Sequence, residues 1–189
     1  MLRKLIWSNQ AATGLEHFYL RHGRDEIIAD GVVIGVEENV AFRIRYKISC
    51  DLRWHVRKVV VTSLEEDEQA LSFVSDGLGN WTNESGNPIA EFQGCVDVDI
   101  TATPFTNTLP IRRLKLAAGE YAEIKVVYFT IPAMRVNVEP QRYTCLETGS
   151  SGGKYKFESL EGGFTAVIIV DGEGLVEDYP QLFKRVWMG

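Results

Sequence analysis

Two carboxylates spaced two residues apart are the strongest chemical signal in this chain. Asp97 and Asp99 stand in the run Gly94-Cys95-Val96-Asp97-Val98-Asp99-Ile100. In a β-strand successive side chains alternate between faces, so both carboxylates point one way, with Cα atoms about 6.5–7 Å apart. Val96, Val98 and Ile100 then point the other way. Such a pair can accept hydrogen bonds from sugar hydroxyls, hold a hard cation, or exchange protons with a substrate. The alternative is a solvated or ion-paired face, for which Arg43 and Arg45 have the complementary spacing. The segment that follows, Thr101 to Arg113, is dense in hydroxyl, amide and guanidinium groups. Asn107 and Arg112 are its candidates to join the two carboxylates in an acidic polar pocket. Arg112 and Arg113 adjoin each other, so on a strand only one of them would share a given face.

Other chemistries lack their residues. His17, His22 and His55 show no ligand spacing, so no metal is expected. No GxSxG run is present, which removes the nucleophile elbow. The Gly pairs 77/79 and 172/174 read as hairpin turns rather than phosphate loops, so no cofactor is expected either. Cys50, Cys95 and Cys145 are odd in number and far apart, consistent with buried reduced thiols. The net charge of −6 opposes binding to nucleic acid or to an anionic membrane surface. No apolar run reaches membrane-spanning length, and Ser8, Asn9 and Gln10 interrupt any signal-peptide core, so a cytoplasmic protein without membrane insertion is expected. Aromatic residues make up 11% of the chain. Trp54, Trp81 and Tyr46 are either core or an apolar wall for a sugar face or an acyl chain.

The elements that must position these groups are strands. From Val40 to Ser49, Phe42, Ile44, Tyr46 and Ile48 alternate with Arg43, Arg45 and Lys47, a period of two with one dry face. Leu52–Thr62, Leu71–Ser75, Tyr121–Thr130, Tyr155–Phe157 and Phe164–Val170 also read as strands, and Leu114–Leu116 reads as one arm of a hairpin with Tyr121–Thr130. Helix signals are few. Thr103 can cap, Pro104 suits a first helical position, and Pro110 should end the turn at Leu109. Pro180–Trp187 is a second helix candidate. Ser63-Leu64-Glu65 before Asp76-Gly77-x-Gly79 is echoed by Ser159-Leu160-Glu161 before Asp171-Gly172-x-Gly174. This is either a duplicated half-barrel or, as we prefer, one turn chemistry used twice. No linker divides the chain, so residues 1–189 form a single domain, mainly β, with a large antiparallel, barrel-like sheet.

The run from Gly94 to Leu114, with its centre Asp97-Val98-Asp99-Ile100-Thr101-Ala102-Thr103-Pro104-Phe105-Thr106-Asn107-Thr108-Leu109-Pro110, resembles the signature of the "putative glycolipid-binding" family of bacteria, first catalogued as a domain of unknown function. Gly14-Leu15-Glu16, Asp51-Leu52-Arg53-Trp54, Asp76-Gly77-Leu78-Gly79-Asn80-Trp81, Pro140-Gln141-Arg142-Tyr143 and Leu175-Val176-Glu177-Asp178-Tyr179-Pro180 extend the resemblance over nearly the whole chain. It implies a large sheet wrapped around a helix, remote likeness to lipoprotein localisation factors, a homodimer, and an acidic pocket. Asp97 and Asp99 are the natural positions of that acidity and Glu16 a further one. The implied function is non-catalytic binding of a glycolipid or a related sugar-bearing amphiphile, with a possible place in glycolipid metabolism. The alternatives are an enzyme working through the paired aspartates and a dimeric interaction module.

Overall fold

The structure, a computed structural model, describes residues 2–66 and 69–189. Among these, fourteen strands form one sheet. The first seven are β1 (Leu2–Asn9), β2 (Gly14–His22), β3 (Ile27–Glu37), β4 (Val40–Cys50), β5 (Val56–Ser63), β6 (Ala70–Ser75) and β7 (Trp81–Asn83). The second seven are β8 (Asp97–Ile100), β9 (Tyr121–Thr130), β10 (Arg135–Gly149), β11 (Gly152–Ser159), β12 (Thr165–Asp171), β13 (Val176–Tyr179) and β14 (Phe183–Met188). Their order is β7-β6-β5-β4-β3-β2-β1-β14-β13-β12-β11-β10-β9-β8. Two antiparallel meanders therefore meet at β1–β14, and only β8 pairs in parallel, with β9.

Alternation explains the strands. In β4, Ile44, Tyr46, Ile48 and Cys50 are buried while Arg43, Arg45 and Lys47 face water. The sheet curls until its ends face each other. Phe73 of β6 lies 6.0 Å, centroid to centroid, from Phe129 of β9. The Trp81 indole N–H of β7 donates to the Cys95 carbonyl at 2.7 Å, just before β8. Curling creates two cores. The larger runs from β1 to β5 and takes Val98, Ile100, Val127 and Phe129 from one face of β8–β9. The smaller joins Tyr143, Cys145, Tyr155, Phe157, Ile168, Val170 and Tyr179.

One short helix sits inside the curl. The Thr103 hydroxyl accepts the Phe105 N–H at 3.1 Å, starting a 3-10 turn over Phe105–Asn107 that runs into α1 (Thr108–Leu114). The expected stop at Pro110 does not occur. Pro110 is the third helical residue, where a missing N–H removes no intrahelical bond, and the helix ends instead at Lys115, which adopts φ 51°. Leu114 consequently closes a helix rather than a hairpin arm. Phe105 packs on Phe18 with centroids 4.6 Å apart, Leu109 enters the larger core, and Ile111 enters the smaller. The C-terminal candidate, Pro180–Trp187, is not helical: Phe183–Met188 is β14, paired with β1 and β13. Within β14 only Phe183 is buried, and Val186, Trp187 and Met188 are exposed.

The internal echo is turn chemistry. Asp76 Oδ1 accepts the N–H groups of Leu78 (2.7 Å) and Asn80 (3.1 Å), and Asp171 Oδ1 those of Glu173 (2.9 Å) and Leu175 (3.0 Å). The same two bonds recur at Asp51, to Arg53 and His55, and at Asn83, to Ser85 and Asn87, which lie outside the echo. In all four loops the fourth residue has positive φ: Trp54 (69°), Gly79 (93°), Gly86 (80°) and Gly174 (78°). Glycine takes that conformation freely; a tryptophan there is strained.

Candidate functional site

The two aspartates share a face of β8, as the strand period requires, but their surroundings separate them. Asp97 is fully buried and ion-paired. Arg113 Nε donates to both of its oxygens at 3.1 Å, and Arg113 Nη2 reaches Oδ2 at 2.5 Å. Burial pushes the Asp97 carboxyl upward in pKa and Arg113 opposes the shift. Helical rather than extended backbone at 108–114 brings Arg113, not Arg112, beside β8. Arg43 and Arg45, the other expected partners, pair instead with Glu65 and Asp30.

Asp99 faces a cavity of about 350 Å³. Its Oδ1 accepts from Thr106 Oγ1 and its Oδ2 from Gln141 Nε2, both at 2.7 Å, and no cation pairs with it among the described residues. Burial raises its pKa against those two bonds. Glu139 also lines the cavity, holding the Ser159 hydroxyl at 2.9 Å. The same cavity is lined by Phe157, Phe164, Tyr179 and Phe183. Among the described residues Gln141 Oε1 is buried without a hydrogen-bond partner. Burial, with Asp99 and Glu139 nearby, pushes the Tyr128 phenol up to about 12, so it remains a donor at neutral pH. A second chamber of about 560 Å³ adjoins this cavity, sharing Thr101, Leu182 and Phe183 with it, and adds Val40, Phe42, Ile131 and Pro132.

The remaining expected site residues divide. Asn107 does line the cavity; its Oδ1 accepts the Tyr143 hydroxyl at 2.8 Å and its Nδ2 donates to the Pro104 carbonyl at 3.2 Å. Arg112 lies elsewhere, its guanidinium 5.3 Å from the Trp54 ring. Glu16 is buried in the larger core beside the cavity. It accepts a short hydrogen bond from the Tyr46 hydroxyl, which lies 3.1 Å from Thr103 Oγ1. Burial raises Glu16 to about 8, so it is largely protonated at neutral pH. Trp54, Trp81 and Tyr46 are all core residues and none lines the cavity. The aromatic wall comes from β11, β13 and β14 and from Phe164 beside β12. Sequence reasoning passed over Glu139, Gln141 and Tyr128. Gln141 and Tyr179 do lie in stretches that carry the family resemblance. Among the described residues no cluster of three or more His, Cys, Asp or Glu side chains could hold a metal ion.

A strongly curled, mainly β sheet around one short helix, with a cavity opening beside that helix, defines the class of protein. The family described as "Putative glycolipid-binding" matches residues 4–185, and the chain belongs to that family. The crystal structure of a DUF1089 family protein from Pseudomonas aeruginosa is similar to it over 92% of both chains, with a TM-score of 0.82 and 38% identical residues. No curated protein matches the chain.

Proposed function

We propose that this protein binds a glycolipid, or a related sugar-bearing amphiphile, without transforming it. The observation that carries this reading is the pairing of two carboxylates without cationic partners among the described residues, Asp99 and Glu139, with an aromatic wall in one cavity that adjoins, at Leu182 and Phe183, a partly apolar chamber. Carboxylates accept strong hydrogen bonds from hydroxyls, the Tyr128 hydroxyl can donate one, and aromatic rings pack on the C–H face of a sugar. The Val40, Phe42, Ile131 and Pro132 side of the adjoining chamber suits an alkyl chain, while Glu37 and Glu38 line it elsewhere. Paired-aspartate catalysis has less support, because Asp97 is committed to Arg113 and only Asp99 reaches the cavity. Octyl glucoside titrated by calorimetry tests the proposal. Wild-type protein should bind it, and Asp99→Asn and Glu139→Gln should each weaken binding about tenfold, the worth of one charge-assisted hydrogen bond. Native mass spectrometry of freshly purified protein should show a bound lipid-sized species. Absence of binding by octyl glucoside and by any co-purified lipid would overturn the reading.

We also propose that the protein works as a homodimer. Exposed Leu15, Val32 and Ile34 on the outer faces of β2 and β3 support this. Sedimentation at micromolar concentration giving only the 21.3 kDa monomer would refute it.

A further inference from the structure

A second concavity, of about 360 Å³, lies toward the opposite end of β10–β12 and shares no lining residue with the acidic cavity. Its chemistry is the reverse. Much of the wall is backbone, contributed by Gly149, Gly152 and Gly153 around the β10–β11 hairpin and by Gly172 and Gly174 after β12. Arg112 and Lys115, at the end of α1, supply its cations. One carboxylate, Asp171, also lines it, but its charge is spent. Asp171 Oδ1 accepts two backbone N–H groups, and its Oδ2 is held by Arg185 Nη1 at 2.5 Å.

Arg112 is the anomaly. Among the described residues no oxygen accepts a hydrogen bond from its guanidinium, no carboxylate pairs with it, and its Nε is shut off from solvent with nothing bound to it. The Glu173 carboxylate, whose field it feels, is taken by Arg3 through three contacts of 2.5–3.1 Å. A half-buried guanidinium with five donors is costly to leave unpaired. The surrounding chain nevertheless accommodates it. A Cβ at Gly174 would come within 2.8 Å of Arg112 Cδ. Trp54, which lies under the guanidinium, sits at φ 69° in the loop position where its three sister loops carry glycine. A strained tryptophan thus serves as the platform that orients an unpaired arginine at a concavity.

We propose that this concavity is an anion site that takes a phosphoryl group, with Arg112 gripping two oxygens and Lys115 a third. A planar guanidinium matches phosphate bidentately, and stacking on an indole fixes the direction of its fork. The site does not depend on the glycolipid reading of the other cavity. Two sources of such a group are possible, a soluble phosphate ester and a phosphorylated lipid head.

The test titrates full-length protein with inorganic phosphate, glycerol 3-phosphate, and vesicles containing phosphatidic acid, following the Arg112 Nε–H resonance by NMR and affinity by calorimetry. The soluble phosphates should move that resonance. Arg112→Gln should weaken binding about tenfold or more and Lys115→Gln by a smaller factor, as expected for losing a bidentate and a single charged contact. Binding to vesicles alone assigns the site to a lipid head; binding to the soluble compounds assigns it to free phosphate esters. Lys115 is exposed, so Lys115→Gln keeps the test valid should Arg112→Gln fold poorly. A resonance unmoved by all three probes, or wild-type affinity in Lys115→Gln and in a folded Arg112→Gln, would overturn the proposal.

Discussion

The two cores of this molecule treat buried polarity differently. In the larger, between β1–β5 and β8–β9, most polar groups are tied to one another: Glu16 Oε1 to Tyr46, Tyr46 to Thr103, the Trp7 indole to the Val176 carbonyl and the Trp81 indole to the Cys95 carbonyl, with Glu16 Oε2 left over. Around the smaller, polar groups are left in reserve. Gln141 Oε1 and Arg112 Nε are buried without a hydrogen-bond partner among the described residues. Both proposed sites flank that second core. Asp97 and Asp99 compress the contrast into one strand: the first is closed off by an arginine, the second opens onto a cavity. An interior that satisfies its own polar groups supports the fold, and one that does not has capacity left for a ligand.

Breaking the closed side should cost most. Arg113→Ala leaves Asp97 buried without its partner and should destabilise the protein by about 3–5 kcal/mol, seen as a lowered urea midpoint. A loss below 1 kcal/mol would mean that Asp97 relaxes toward water and that the contrast with Asp99 is weaker than drawn.

Glu16 provides a pH-dependent version of the same test. Its carboxyl is raised from 4.5 to about 8, so the folded protein keeps a proton that the unfolded chain releases. The stability it contributes is complete below the unfolded value of 4.5 and is lost as pH climbs through 8, with a slope approaching ~1.4 kcal/mol per pH unit. Glu16→Gln should remove that slope. Unfolding measured from pH 4 to pH 9 for both proteins gives the difference curve, and a flat difference would show that Glu16 is not held neutral.

Gly31 probes how tightly the closed core is packed. A Cβ there would overlap the ring of Tyr46 on the neighbouring strand. Gly31→Ala should cost about 1–3 kcal/mol by overpacking, read from the thermal midpoint. On the open side, Asp99→Asn should cost no more than about 1 kcal/mol, because Gln141 can turn its unpartnered Oε1 toward the new amide. Equal losses in these two variants would erase the distinction between the cores. The smallest effect concerns the thiols. Cys50, Cys95 and Cys145 are buried and reduced, and burial raises Cys95 to about 11, so thiol reagents should label all three slowly under native conditions.

Much of the fold was legible because it is local. The alternation of Val40–Ser49 became β4 with its faces as read, and Thr103 did start the helical segment. Pro110 misled because a proline inside the first helical turn and a proline after the last one look alike without the start fixed. Pro180–Trp187 misled because Leu182, Phe183 and Val186 suit a helical stripe as readily as a pleat with a bulged partner, and only pairing with β1 decides between them. The site was legible in part. Asp97 and Asp99 are neighbours in sequence and on the strand, but Tyr128, Glu139, Phe157 and Tyr179 come together only through strand pairing across β9–β13 and the curl of the sheet. The aromatic residues prominent in sequence, Trp54, Trp81 and Tyr46, went to the packed core. Nothing in local spacing distinguishes a ring that faces a cavity from one that fills the interior.

The seam between the two meanders has a consequence for folding kinetics. Every ladder but one joins strands adjacent in the chain; the exception pairs Leu5 with Met188 and Asn9 with Phe183. Each meander can zip from its own hairpins, whereas the seam must wait for a loop closure across nearly the whole chain. Until it forms, β1 and β14 present bare edges open to pairing with other molecules. Leu182 and Phe183, which line both the proposed ligand cavity and its adjoining chamber, lie at that seam. The last joint to close thus completes the cavity, and an occupant that binds only the finished protein would slow the reopening of the joint that bares those two edges.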